Sequence, residues 1–259
     1  MINFFRKIRH TVLSEGKTIK YFKYAVGEII LVVVGILIAL QINNWNENRK
    51  ETNLELKYLQ SIQKDLNNDI KYYDRRIKEA QNNIENYYRV VDGMYQTQKN
   101  FEEYARLFES FDFPAEHLTI QNFTFNELVS SGNIGIIKNK VLKDSIASLY
   151  KISEEKAKYI QEFNEFTANN ILNIWGHPDL PFSWLYASRK NVLFNKKVMS
   201  HGLEWDFIND PNSLPFKLIR NNIGLYYVKL KDFIEKFENL RTKSIETVDM
   251  IQNELYKRT

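Results

Sequence analysis

The amino-acid sequence predicts an all-α protein: one N-terminal transmembrane helix followed by an antiparallel bundle of three long helices with short capping helices. Three observations lead there. Residues 29–40 are twelve consecutive residues without a polar side-chain atom. Three later stretches repeat apolar residues at steps of three and four, the spacing of one helix face. Breakers are scarce, with 9 Gly and 5 Pro in 259 residues, so helices can run long without interruption.

The anchor comes first. From Ala25 through Ile42 the apolar stretch reaches 18 residues, interrupted only by Glu28 and Gln41. A membrane span takes about 17–25 such residues, which places the transmembrane helix at 25–44, a basic tail at 1–24 and a helical body at 45–259. Tyr21, Phe22 and Tyr24 at one end and Trp45 at the other suit the aromatic belts of the two interfaces. Six basic residues (Arg6, Lys7, Arg9, Lys17, Lys20 and Lys23) precede the span, whereas Arg49 and Lys50 beyond it are interspersed with Glu47 and Glu51. The positive-inside rule then keeps the amino terminus in the cytosol and sends the body outward. A cleavable signal peptide competes with this reading. Its basic region would be unusually long, and Ile38-Ala39-Leu40-Gln41 is a poor small-x-small cleavage site. A buried core helix is the other alternative, but a helix of a soluble domain would show a polar face somewhere in those twelve residues.

Two features of the span are candidates for partner contact or helix packing. Gly35 and Ala39 make a small-xxx-small step that lets another helix approach, although small residues are also ordinary in spans. Glu28 lies near the cytosolic edge, where it either reaches the headgroups beside Lys20 or Lys23 or meets a partner.

With six of the 36 basic residues and two of the 32 acidic ones in 1–42, residues 43–259 hold 30 of each. The whole +4 excess therefore sits in the tail and span. A nucleic-acid partner would need a basic face on the folded body, so none is expected. The absence of cysteine excludes disulfides, thiolate chemistry and lipoprotein-type acylation.

The stretch Tyr21-Phe22-Lys23-Tyr24-Ala25-Val26-Gly27-Glu28-Ile29-Ile30-Leu31-Val32-Val33-Val34-Gly35-Ile36-Leu37-Ile38-Ala39-Leu40-Gln41-Ile42-Asn43-Asn44-Trp45-Asn46-Glu47 resembles the opening of an uncharacterised single-pass membrane-protein family widespread in Bacteroidota. Phe4-Phe5-Arg6-Lys7-Ile8-Arg9 and Glu127-Leu128-Val129-Ser130-Ser131-Gly132-Asn133 fit the same family. The resemblance covers most of the chain. It implies an inner-membrane protein of a Gram-negative bacterium with its body in the periplasm, and it implies no activity.

The first long helix of the body is expected at about 50–98. Its seam runs Leu59, Ile62, Leu66, Ile70, Tyr73, Ile77, Ala80, Ile84, Tyr87, Val91 and Met94, as in coiled coils and bundles. No Gly or Pro separates Gly35 from Gly93, so this helix can continue straight out of the span. A short helix at 101–110 should end at Asp112-Phe113-Pro114. Another at 125–131 has a capping box in Thr124-Phe125-Asn126-Glu127, a staple of Phe123 and Leu128, and Gly132 in the left-handed closing position. Ile134-Gly135-Ile136-Ile137 then reads as an extended link.

The second long helix, 139–176, takes Asn139 as its cap and stops at Gly176-His177-Pro178. Its seam is Leu142, Ile146, Leu149, Ser153, Ala157, Ile160, Phe163, Thr167, Ile171 and Ile174. The third, 214–258, has Pro215 in its first turn. Its seam is Phe216, Ile219, Ile223, Tyr226, Leu230, Phe233, Phe237, Leu240, Ser244, Val248, Ile251 and Leu255. The aromatics of the intervening connection (Phe182, Trp184, Tyr186, Phe194, Trp205 and Phe207) should fold over one end of the bundle.

No catalytic or cofactor motif is present. The four histidines, His10, His117, His177 and His201, lack zinc-site spacing. His201-Gly202-Leu203-Glu204-Trp205-Asp206 offers loose metal ligands, yet such loop residues are commonly rim contacts. Glu102-Glu103 and Glu154-Glu155 read as solvated helix faces. The sequence therefore predicts no cofactor, no metal site and no enzyme. Its leading functional reading is an anchored interaction or scaffold module, with the bilayer and a protein partner or a second copy as partners. A ligand-sensing bundle acting through a membrane partner is the alternative, and a cell-envelope enzyme ranks last.

Overall fold

The structure, a computed structural model, describes residues 18–97, 101–108, 117–175 and 206–258. Most of the basic tail, the helix stop at Gly176-His177-Pro178, the Asp112-Phe113-Pro114 stop, and His201 and Glu204 of the loose metal-ligand loop lie outside the described residues. Five α-helices are described: α1 Thr18–Met94, α2 Phe101–Arg106, α3 Phe123–Ser130, α4 Lys140–Trp175 and α5 Leu214–Tyr256. Two short 3₁₀ turns, Asn133–Ile136 and Asp206–Asn209, complete the order, and no strand occurs among the described residues. The expected all-α architecture is thus observed.

The chain forms two compact units, Met1–Lys57 and Tyr58–Thr259. In the first, the expected span and the start of the first long helix are one uninterrupted helix, part of α1. Its apolar window has a mean hydropathy of 2.6 and none of it is buried within the chain. Ile29, Leu31 and Ile42 are each more than 60% exposed, so no packing among the described residues accounts for these side chains. This is a helix long and apolar enough to cross a membrane.

The second unit is the bundle. Contacts of α5 fix the directions. Asp74 and Tyr88 of α1, and Tyr95 just after it, meet Arg241, Tyr227 and Phe216 of α5, so the two helices are antiparallel. Asn139, Phe163 and Thr167 on the α4 side meet Glu254, Phe233 and Lys229, so α4 and α5 are antiparallel as well. It follows that α1 and α4 run in the same direction. The connection between them makes the return journey as a strap down α1: the Tyr72 hydroxyl donates to the His117 carbonyl, Gln121 N–H donates to Asp69 at 3.0 Å and Thr124 Oγ1 to Asp65 at 2.5 Å.

The core follows the predicted seams. Leu59, Ile62, Leu66 and Tyr73 of α1 are buried with Leu142, Ile146, Leu149 and Ile160 of α4 and Phe233, Phe237 and Leu240 of α5. A second cluster joins Val90 and Met94 to Tyr104, Phe108, Phe207 and Phe216. The small polar residues in the α4 seam do not break it, because Ser153 Oγ and Thr167 Oγ1 bond back to the Leu149 and Phe163 carbonyls at 2.9 Å each.

Local expectations fare unevenly. Asn139 caps α4 through Leu142 N–H at 3.1 Å, Ser213 caps α5 with Pro215 in its first turn, and Gly132 is left-handed at φ 74°. The capping box of α3 is not formed. The helix begins at Phe123 with no side-chain cap, because Thr124 is engaged by Asp65 and Glu127 accepts from the Tyr58 hydroxyl at 3.5 Å. Phe123 is 79% exposed and makes no staple. The link expected to be extended is instead the turn Asn133–Ile136, and only Ile137 after it is extended, at ψ 102°.

Candidate functional site

The residues singled out in the span all fall on α1. Phe22, Tyr24 and Trp45 expose 70%, 61% and 65% of their surface, and Trp45 also receives Arg49 over its ring at 6.0 Å. Tyr21 is in the same helix. Nothing lies within 4 Å of a Cβ placed on Gly35, so that position is open to an approaching helix, as is exposed Ala39 on the next turn. Glu28 is half-buried. These residues share one element; Ala39 and Trp45 line an open groove with Ile42, Asn43 and Asn46, and Glu28 and Gly35 are not among its lining residues.

Sequence reasoning missed two polar groups inside the bundle. The first centres on Asp69, which is 2% exposed. It accepts the Gln121 N–H of the strap, and Asp65 lies one turn earlier on the same face, holding Thr124. Tyr73, one turn later, lies against Ser153, and Tyr150 of α4 faces both aspartates while its hydroxyl donates to the Gln121 carbonyl at 3.3 Å. Burial pushes the Asp69 carboxyl up from 3.8 to about 6; the Gln121 N–H opposes this and the Asp65 charge adds to it. Burial also raises the Tyr73 and Tyr150 hydroxyls well above the usual phenol range. Asp69 can thus hold a proton in mildly acidic surroundings, within a closed network that ties the strap to α1 and α4.

The second group lies on α5. Lys229 is 1% exposed and donates to Thr167 Oγ1 at 3.2 Å. The rings of Tyr226 and Phe233 flank its ammonium at 5.1 and 5.4 Å. Among the described residues no carboxylate pairs with it. Burial lowers it from 10.5 to about 8. Two turns earlier, Asn222 is 2% exposed, and neither polar atom of its amide has a partner among the described residues.

A sequence signal existed for both groups. Asp69 stands three residues after Leu66 and four before Tyr73, and Lys229 stands three after Tyr226 and four before Phe233. Each is a charged residue in seam register, overlooked because an apolar neighbour, Ile70 or Leu230, kept the same rhythm.

Residues 28–177 match the family described as a family of unknown function, DUF6090. The chain belongs to that family. The matched region of this DUF6090 protein takes in most of the apolar window, the strap with its aspartates and all of α4, so the Asp69 network lies inside it, whereas Lys229 and Asn222 lie beyond it. No curated protein and no solved structure matches the chain.

Proposed function

We propose that this DUF6090 protein is a membrane-anchored interaction module, a scaffold or adaptor and not an enzyme. Its apolar helix spans the inner membrane of a Gram-negative bacterium, in keeping with the resemblance to a Bacteroidota family. The basic tail lies in the cytosol and the bundle in the periplasm. The observation that carries the reading is the unburied apolar window of α1, mean hydropathy 2.6, in a helix that runs unbroken into the first helix of a bundle. Glu28, Gly35 and Ala39 are the partner-facing candidates within the span. Crosslinking in native membranes followed by mass spectrometry tests it; recovery of monomer alone at native expression overturns it. The chain has no cysteine, so single Ser14→Cys and Ser130→Cys variants report orientation cleanly. An impermeant maleimide should label the Ser130→Cys variant in spheroplasts and the Ser14→Cys variant only after lysis.

A second reading, a ligand-sensing bundle that signals through a membrane partner, is favoured by one observation: the buried polar pair Lys229 and Asn222, which the packing of α5 does not require.

A further inference from the structure

Lys229 and Asn222 sit in the hydrophobic seam of α5, where apolar side chains of similar size would pack without desolvating a cation or an amide. Lys229 spends one donor on the Thr167 hydroxyl, which itself bonds to the Phe163 and Asn164 carbonyls. Asn222 has neither its donor nor its acceptor partnered among the described residues. Seven residues separate the two, two helical turns, so they share one face of α5 about 10 Å apart. Tyr226 lies between them. Across the seam on α4, Thr167 and, one turn further, Ile171 present a buried face. The arrangement has a cationic end, a neutral donor–acceptor end and an apolar, aromatic middle. Burial also lowers the affinity of Lys229 for its proton.

We propose that the α4–α5 seam between Lys229 and Asn222 is a binding site for a small amphipathic monocarboxylate. The carboxylate pairs with the Lys229 ammonium between the Tyr226 and Phe233 rings. A hydrogen-bonding group at the far end of the ligand meets the Asn222 amide, and an apolar body of about 10 Å lies against Tyr226 and Ile171. The proposal deepens the ligand-sensing reading, and it leaves the crosslinking test of the interaction module independent.

The test is isothermal titration calorimetry on the full chain in nanodiscs with two probes, 3-(4-hydroxyphenyl)propionate and the shorter benzoate. The longer probe should bind saturably at one site per chain, at least tenfold more weakly in K229M and measurably more weakly in N222L. Benzoate should depend on Lys229 but not on Asn222. Because methionine suits the seam, K229M should melt no lower than the parent chain, which separates lost binding from lost fold. Absence of saturable binding by both probes overturns the proposal, and so does an affinity unchanged in K229M. If binding holds but the probe leaves the crosslinked partner set unaltered, the site stands and signalling through it fails.

Discussion

Replacing Asp69 by asparagine should stabilise the bundle at neutral pH. Folding raises the Asp69 carboxyl from 3.8 to about 6, and at about 1.36 kcal/mol per unit this is about 3 kcal/mol of destabilisation when the group is ionised. The sign follows from proton binding. Between pH 4 and 6 the folded state holds more protons than the unfolded state, so stability contributed by Asp69 falls as pH rises through that window. Above pH 6 the full penalty applies. Asparagine keeps an acceptor for the Gln121 N–H but carries no charge to desolvate and none to repel Asp65. Urea unfolding of the full chain in nanodiscs, followed by circular dichroism at pH 7 and pH 4.5, measures both effects. Over this part of the window the parent chain should lose about 2 kcal/mol of stability from pH 4.5 to pH 7 relative to D69N, and D69N should unfold at higher urea at pH 7. If D69N is destabilised at pH 7, or shows the parent's pH slope, burial is not what sets the Asp69 titration and the reasoning fails.

Other substitutions probe separate parts of the fold. Phe237→Ala removes a fully buried ring stacked on Tyr73 and should cost about 3–5 kcal/mol in the same unfolding assay. Gly132→Ala meets no atom within 4 Å but must hold φ 74°, so a cost of about 1–2 kcal/mol should come from backbone strain alone. Gly135→Ala, which is equally open, has no positive φ and should be near neutral. Asn139→Ala deletes both the α4 cap and the bond to Glu254 at 2.9 Å, costing about 1–2 kcal/mol. The Asn139 bond is the main cause holding the Glu254 carboxyl below its ordinary range, so its loss should also weaken the share of stability that Glu254 supplies above that range.

Spacing made the long helices legible because a bundle needs only one apolar face per helix, and a sequence with so few breakers leaves that face uninterrupted. The cap at Asn139, Pro215 in the first turn of α5 and the turn at Gly132 were legible for a related reason: each is decided by the residue and its immediate neighbours. The failures share the opposite property. Thr124 and Glu127 have the spacing of a capping box, but Asp65 and Tyr58, more than fifty residues away, take their hydrogen-bonding groups. Long-range partners of that kind leave no trace in a local pattern. The parallel course of α1 and α4 was likewise hidden, since it depends on how the strap folds back and not on any seam. Within the seams, the three-four rhythm admits either of two adjacent residues, and the apolar choice at Ile70 or Leu230 concealed that its charged neighbour is buried too.

These two buried charges should not be read alike. Asp69 is surrounded by groups that use it: its carboxylate receives a strap N–H, its neighbour Asp65 holds Thr124, and Tyr150 ties the same strap residue to α4. Its cost in stability is spread over a network that fixes a non-helical segment against α1. A structural role suffices for it, and D69N, which preserves the acceptor, tests only the charge. Lys229 bonds across to the Thr167 hydroxyl of α4 but fixes no non-helical segment. Thr167 already has backbone acceptors, the flanking rings pack without it, and Asn222 two turns away is equally idle. A cation that orders no segment and answers no carboxylate among the described residues gains its reason from something that enters the seam. K229M therefore separates the two cases: it should remove ligand binding while leaving the bundle at least as stable as before.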